Sequence, residues 1–339
     1  TMLRTISSPP ATPGGLMDLS LPLARYRLIL RATSPIQFNG YSGSAWRGIF
    51  GHALKRAACV TSEKNCKDCL LYRQCVYSYI FETPPPRDTR YMRRYTAAPH
   101  PFILSPPLDL RRLGRGETLP LAFTLIGNGN AYLPYVVHAF ERAGALGIGP
   151  TNGTFEIAGL DQETAPGSEQ FDAIMDAGKL APRPPRTPTT PPLPDIVALQ
   201  FDSPLRLKYR SQLLTPPRFA FAAIVANLLR RVSMLSYFHN DAALDLDFKA
   251  LVDRANSIAP THEDLHWYNW ARYSNRQKTR IQMDGLIGSI AFRGADIAPW
   301  WPLLWLGQYL HAGKATSMGM GGYRLIADQT QTSQAPQAA

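Results

Sequence analysis

Residues 311–323 read HAGKATSMGMGGY. An apolar, tryptophan-rich stretch precedes them (PWWPLLWLGQYLH, 299–311), and a β-like segment, GYRLIA, follows (322–327). The run is thus a helix-to-strand connection, and it closes a series of elements that repeats twice along the chain. Glycines 313, 319, 321 and 322 allow close approach of a backbone and leave N–H groups available to an anion. Lys314, Thr316 and Ser317 add a charge and two hydroxyls. The pattern GxxxxGK[ST] is absent, so a nucleoside triphosphate loop is not indicated.

Working back from the loop, the second half has strand-like runs at 196–201 (IVALQF), 205–209 (LRLKY) and 286–292 (LIGSIAF). Helical spacing marks 217–237 and 246–257. A proline-rich stretch, APRPPRTPTTPPLP (181–194), separates this half from the first. There the alternating run RYRLILRA (25–32) reads as a half-buried strand. A helix follows at 45–57, with Trp46, Ile49, Phe50, Ala53, Leu54 and Ala57 on one stripe and Ser44 as its N-cap. Strands at 101–105 and 118–127, a helix at 131–143 and a strand at 154–160 complete the order β-α-β-β-α-β. The expected fold is α+β: tandem ferredoxin-like, RRM-like domains with a small four-cysteine insertion. The expected bounds are a leader at 1–20, a first domain at 21–165, a linker at 166–194, a second domain at 195–328 with its glycine loop at 313–322, and a tail at 329–339.

The chain has 339 residues and a net charge of +11, which favours nucleic acid or another anionic partner. No stretch reaches the roughly 18 uncharged apolar residues of a membrane span, and the first residues lack a signal-peptide core, so a cytoplasmic setting and no membrane partner are expected. All four cysteines fall at Cys59, Cys66, Cys69 and Cys75. Such crowding suits a closed tetrahedral site for one structural zinc. An iron–sulfur cluster, free thiols and disulfides are the alternatives.

On helix 45–57, Gly48, Gly51, His52 and Lys55 share a second face away from the apolar stripe. An imidazole there can accept or donate a proton, and an adjacent ammonium can stabilise a charged phosphate. Tyr41, just before the helix, could help position that phosphate or staple the helix start. His311 either complements the dipole of the last helix or contacts phosphate, and Lys314 is a phosphate contact. Arg93 and Arg94 lie in a loop with Arg87 and Arg90. Arg272, Arg276, Lys278 and Arg280 form a second cluster, with Trp267, Tyr268, Trp270 and Tyr273 before and among them. Arginine with aromatics suits single-stranded RNA.

Four segments carry a resemblance: SAWRGIFGHALK (44–55) with the cysteines and YIFE after it, YLPYVVHAFERAGALGIGPTNGTF (132–155), RYSNRQKTRIQMDGLIGSIAFRG (272–294), and the glycine loop. In this order they resemble the CRISPR precursor-RNA-processing endoribonucleases of the RAMP superfamily. The resemblance implies cleavage of CRISPR repeat RNA into crRNA without a catalytic metal. In such enzymes the 2′-hydroxyl attacks the adjacent phosphate, leaving a 2′,3′-cyclic phosphate and a 5′-hydroxyl. Members differ in which residues catalyse; where a catalytic histidine is present it lies on or near the first helix, which fits His52, and the product stays bound or passes to subunits of an effector complex. Two further readings share these features. One is a non-catalytic RAMP subunit that caps guide RNA; the other is a zinc-containing DNA-binding regulator, which the cysteine spacing and the lack of a helix-turn-helix disfavour.

Overall fold

The computed structural model describes residues 16–85, 98–274 and 279–327. Strand β1 (Leu23–Ala32) leads to helix α1 (Gly43–Ala58), then β2 (Phe102–Ser105), β3 (Thr118–Ile126), α2 (Leu133–Leu146), β4 (Phe155–Glu163) and a short β5 (Phe171–Ala173). These strands form one antiparallel sheet in the order β2-β3-β1-β4-β5. The second half repeats the plan with β6 (Ile196–Leu205), α3 (Phe221–His239), α4 (Phe248–Ala255), β7 (His262–Tyr268), a hairpin of β8 (Ala271–Ser274) and β9 (Thr279–Gln282), then β10 (Gly285–Arg293), α5 (Trp301–Leu310) and β11 (Tyr323–Ala327). Its main sheet runs β7-β10-β6-β11. Each sheet places the first strand of its unit between the third and the fourth, which is the connectivity of the β-α-β-β-α-β order.

The period of two explains β1. Tyr26, Leu28 and Leu30 point into the core, while Arg25, Arg27 and Arg31 face the other way. Leu28 lies opposite Leu121 of β3, and a register shift against β4 falls between Ile29 and Leu30. The stripe read on α1 is largely the buried one: Trp46, Phe50, Ala53 and Leu54 are fully enclosed. Phe50 stacks on Phe140 of α2 at 5.2 Å. Helix α3 is long and apolar enough to cross a membrane by length and composition alone, but two thirds of it is buried in the second core.

Four details differ from the sequence reading. Helix α1 starts at Gly43, with Ser42 rather than Ser44 at the N-cap, and Ser42 makes no side-chain cap bond. Ser42 is 1% exposed, and the next residue, Gly43, packs against the Met318 carbonyl of the second domain. Residues 166–194 are not a bare connector: β5 extends the first sheet, and Arg186 exchanges backbone bonds with Leu23 at 3.0 Å. Leu16, inside the expected leader, is buried in the second core together with Leu21, Leu23, Ile103 and Ile126 of the first half. The two halves therefore share apolar packing across their seam. Strand β7, HEDLHWY, was not expected; it is an edge strand, largely exposed and polar, so its sequence lacks alternation.

Candidate functional site

The glycine-rich loop runs along this seam. Gly313, Gly319 and Gly321 have φ of +81°, +86° and +69°, a region that side chains avoid. A Cβ on Gly319 would strike the Tyr41 hydroxyl and lie 2.5 Å from the Leu104 carbonyl. One on Gly313 would lie 2.6 Å from the Arg206 carbonyl. The loop's N–H groups are also spent inside the protein. Gly313 donates to Asn227 Oδ1 (2.7 Å), Lys314 to Arg206 O (2.9 Å), Gly321 to Pro204 O (3.0 Å) and Gly322 to Ser203 Oγ (2.8 Å). The expectation that these donors await an anion is corrected, because they bond to groups of the loop's own domain, while Gly319 packs against Tyr41 and Leu104 of the first domain. Thr316 and Ser317 are buried as well, at 7% and 6% exposure. Lys314 is the exposed side chain of the loop.

Tyr41 belongs to the same clamp. It is 4% exposed and donates its hydroxyl to Met318 O at 3.0 Å. Its ring meets Trp270 edge-on at 5.4 Å, and burial raises its pKa. Met318, Met320 and Met283 complete this third apolar cluster. Tyr41 therefore holds the loop instead of reaching substrate, and Trp270, read as a stacking residue, is interior. The cluster also anchors the root of the β8–β9 hairpin, since Trp270 and Met283 flank it. Arg272 pairs with Ile281 and Tyr273 with Arg280 along this hairpin. Arg276 and Lys278, like Arg93 and Arg94, lie outside the described residues.

The face of α1 read as Gly48, Gly51, His52 and Lys55 is split in two by its surroundings. A Cβ on Gly51 would strike the Phe81 ring, whereas Gly48 has open space around it. Lys55 donates to Lys64 O at 3.2 Å and sits 5.8 Å from the Tyr77 ring. Its ammonium serves the cysteine segment, which corrects its expected place beside a phosphate. His52 stays exposed on the outer face. Arg47, one turn before Gly51, is turned toward the glycine loop: its Nε donates to Ser317 Oγ (2.9 Å), and its guanidinium lies 4.2 Å from the Phe81 ring centre. Sequence reasoning missed Arg47 because its partner lies 270 positions away.

Three histidines line the seam in neutral form. His311 sits with Nδ1 3.1 Å from Met320 O and Nε2 3.5 Å from Ser105 Oγ. Burial lowers its pKa to about 4, so it is neither a dipole-capping cation nor a charged phosphate contact at neutral pH. His100, 3.2 Å from Arg47 Nη2 and 2.8 Å from Thr83 Oγ1, is lowered to about 3 by burial and then by Arg47 and Arg231. His239 bridges Tyr79 OH (2.9 Å) and Pro99 O (2.8 Å), and burial takes it to about 4.

All four cysteines line one cavity of about 280 Å³ beyond the end of α1. The Thr61 hydroxyl is 3.2 Å from Cys69 Sγ and 4.0 Å from Cys59 Sγ. Burial raises the Cys66 thiol despite the charge of Lys55. Against slight burial, hydrogen bonds from Ser62 and Thr61 and the charge of Lys55 lower Cys59. Among the described residues no three cysteine, histidine or carboxylate side chains converge as a metal shell. The cysteine segment is an insertion between α1 and β2.

Two β-α-β-β-α-β domains packed at a seam that holds a buried glycine loop, in a chain of net charge +11, define a class of basic α+β protein. Residues 21–187 match a family model described as an N-terminal domain, and residues 199–323 match that of the CRISPR-associated endoribonuclease Cas6. No curated protein matches the sequence. Among solved structures, Thermus thermophilus Cas6 superposes with a TM-score of 0.51 at 16% identity, covering 90% of this chain and 99% of that one. A Cas6 product complex gives 0.53 at 16% identity with the same coverage. A partial Cas6-RT-Cas1–Cas2 complex gives 0.52 at 12% identity, over 93% of this chain and 48% of that one. At these identities the superpositions establish the fold, and the family match names the kind of domain that residues 199–323 form. Residues 199–323 thus form a domain of the CRISPR-associated Cas6 endoribonuclease family, and the chain as a whole has the fold of the solved Cas6 structures.

Proposed function

We propose that this endoribonuclease cuts CRISPR repeat RNA with His52 as its general acid or base. The observation that carries the assignment is the exposed His52 on the outer face of α1, beside the open Gly48. The other seam and helix candidates are enclosed or engaged: Tyr41 by Met318, His311 by Met320, and Lys55 by Lys64. In the proposed step the ribose 2′-oxygen attacks the adjacent phosphorus while its proton leaves to a base. The bond to the 5′-oxygen breaks, and that oxygen takes a proton from an acid. The products are a 2′,3′-cyclic phosphate and a 5′-hydroxyl, and no metal enters the step. Lys314 and the arginines of the β8–β9 hairpin supply phosphate contacts, and mature crRNA passes to subunits of an effector complex.

The same reading keeps zinc at the cysteine segment. The four cysteines line one cavity, and their thiol chemistry suits a four-thiolate ion. The ion would hold this segment folded. Protein purified without chelator should carry about one zinc per chain; iron with acid-labile sulfide would replace that assignment.

The decisive experiment is single-turnover cleavage of labelled repeat RNA in the presence of EDTA. His52→Ala should slow the cut by about 10²–10⁴-fold and leave RNA affinity nearly unchanged, and a 2′-deoxy substitution at the cut should abolish cleavage. Cutting at the parental rate by His52→Ala would move the acid–base role elsewhere.

A further inference from the structure

Beyond the candidate cut site, α1 ends at a second groove. Lys55, Arg56, Lys64 and Arg142 line it, with Glu63 as its one carboxylate, and it encloses about 400 Å³. Three elements build it: the last turn of α1 gives Lys55 and Arg56, α2 gives Arg142, and the cysteine segment gives Glu63 and Lys64. Arg56, Lys64 and Arg142 are exposed. Among the described residues none of the four cations is in an ion pair. Glu63, whose Oε1 accepts the Lys64 backbone N–H at 2.9 Å, offsets one charge and leaves the groove net positive. A native surface usually intersperses both signs, so Arg56, Lys64 and Arg142, three exposed cations outside any ion pair that converge from three elements, mark a place for an anion.

The groove is also placed in line with the cut. Arg56 stands four residues after His52, so the two project from one face of α1 about one turn, roughly 5.4 Å, apart along the helix axis. No aromatic residue lines it, which leaves phosphate and ribose as its partners rather than stacked bases. We propose that the groove between α1, α2 and the cysteine segment binds the RNA backbone next to the scissile phosphate, reading no sequence. On this view the cysteine segment completes an RNA track. The proposal rests on the repeat-RNA reading given above.

The test uses the full chain and a repeat RNA made uncleavable by 2′-deoxy substitution at the cut, with dissociation constants measured over a salt series. Each lost phosphate contact removes about 0.7 from the log–log salt slope for a single strand. Lys64→Gln with Arg142→Gln should therefore lower the slope by about 1.4, so that over a fourfold rise in salt the parent loses about sevenfold more affinity than the double variant. Arg142→Lys should keep the parental slope, and so should Lys179→Gln, an exposed lysine outside the groove. Thermal unfolding of each variant confirms that it is folded. A folded double variant with the parental slope would overturn the groove while leaving the enzyme assignment intact. A parent that neither binds nor cuts repeat RNA would instead overturn the repeat-RNA reading on which the groove depends.

Discussion

The two ends of α1 carry segments that look equally suited to chemistry, and the structure uses them in opposite ways. At the N-terminal end the glycine-rich loop is buried, its donors satisfied by protein and its hydroxyls enclosed. At the C-terminal end the cysteine segment is exposed and brings unpaired cations beside those of α1 and α2. Glycine richness marks close approach of a backbone, and the approaching partner can be another part of the same chain. A ligand site is better recognised by polar groups that the protein leaves unpaired.

Substitutions at glycines of α1 test this contrast most strongly. A methyl group at Gly43 would strike the carbonyl of Met318 in the loop, and neither backbone can move freely. Gly43→Ala should cost about 3 kcal/mol by overpacking, measured by chemical denaturation. At Gly48 nothing lies within 4 Å of the new methyl, so Gly48→Ala should gain roughly 0.5–1 kcal/mol from helix propensity. Equal effects at the two positions would break the distinction between a clamped end and an open face.

Acid should loosen the seam before it affects the outer face. The folded pKa of His239 is depressed to about 4 by burial, while the unfolded chain titrates near the usual value of about 6.5. The contribution of neutral His239 is thus complete above about pH 6.5 and is lost as pH falls toward 4. The groups around it are Tyr79, the Pro99 carbonyl, Arg231 and Asp241; the Arg231 charge reinforces the depression, and Asp241 and the Pro99 carbonyl oppose it. Stability should fall by roughly 2–3 kcal/mol over this window on account of His239. His239→Gln should flatten that part of the stability–pH curve, and an unchanged curve would remove His239 as its source.

The smallest expected effect belongs to Tyr41. Tyr41→Phe removes the donor to Met318 O and should cost about 1 kcal/mol while leaving the single-turnover cleavage rate intact. A large loss of rate in a fully folded variant would return Tyr41 to the reacting centre.

Most of the fold was legible in the sequence because period and burial agree. The strands at Leu23–Ala32, Phe155–Glu163 and Gly285–Arg293 and the stripe of α1 announce their buried faces. What escaped has no local signal. Strand β7 lies at a sheet edge with His262, Glu263 and Asp264 exposed, so it reads as loop. Arg47 and Ser317, or Tyr41 and Met318, meet only when both domains are in place. The family was readable from motifs in order, whereas the duty of each motif depended on what packs against it. The tandem glycines announced proximity, but not to what.

Helix α1 also works as a ruler. Its 16 residues fix a span of about 24 Å between the interdomain clamp and the cysteine segment, and a hydrogen-bonded helix does not stretch. The segment beyond it can be enlarged, trimmed or exchanged without disturbing the register of the seam, as long as the helix keeps its length. On the proposed RNA track, variation there would alter how far along an RNA strand the protein reaches, and lengthening the helix by one turn would shift that reach by a single fixed step.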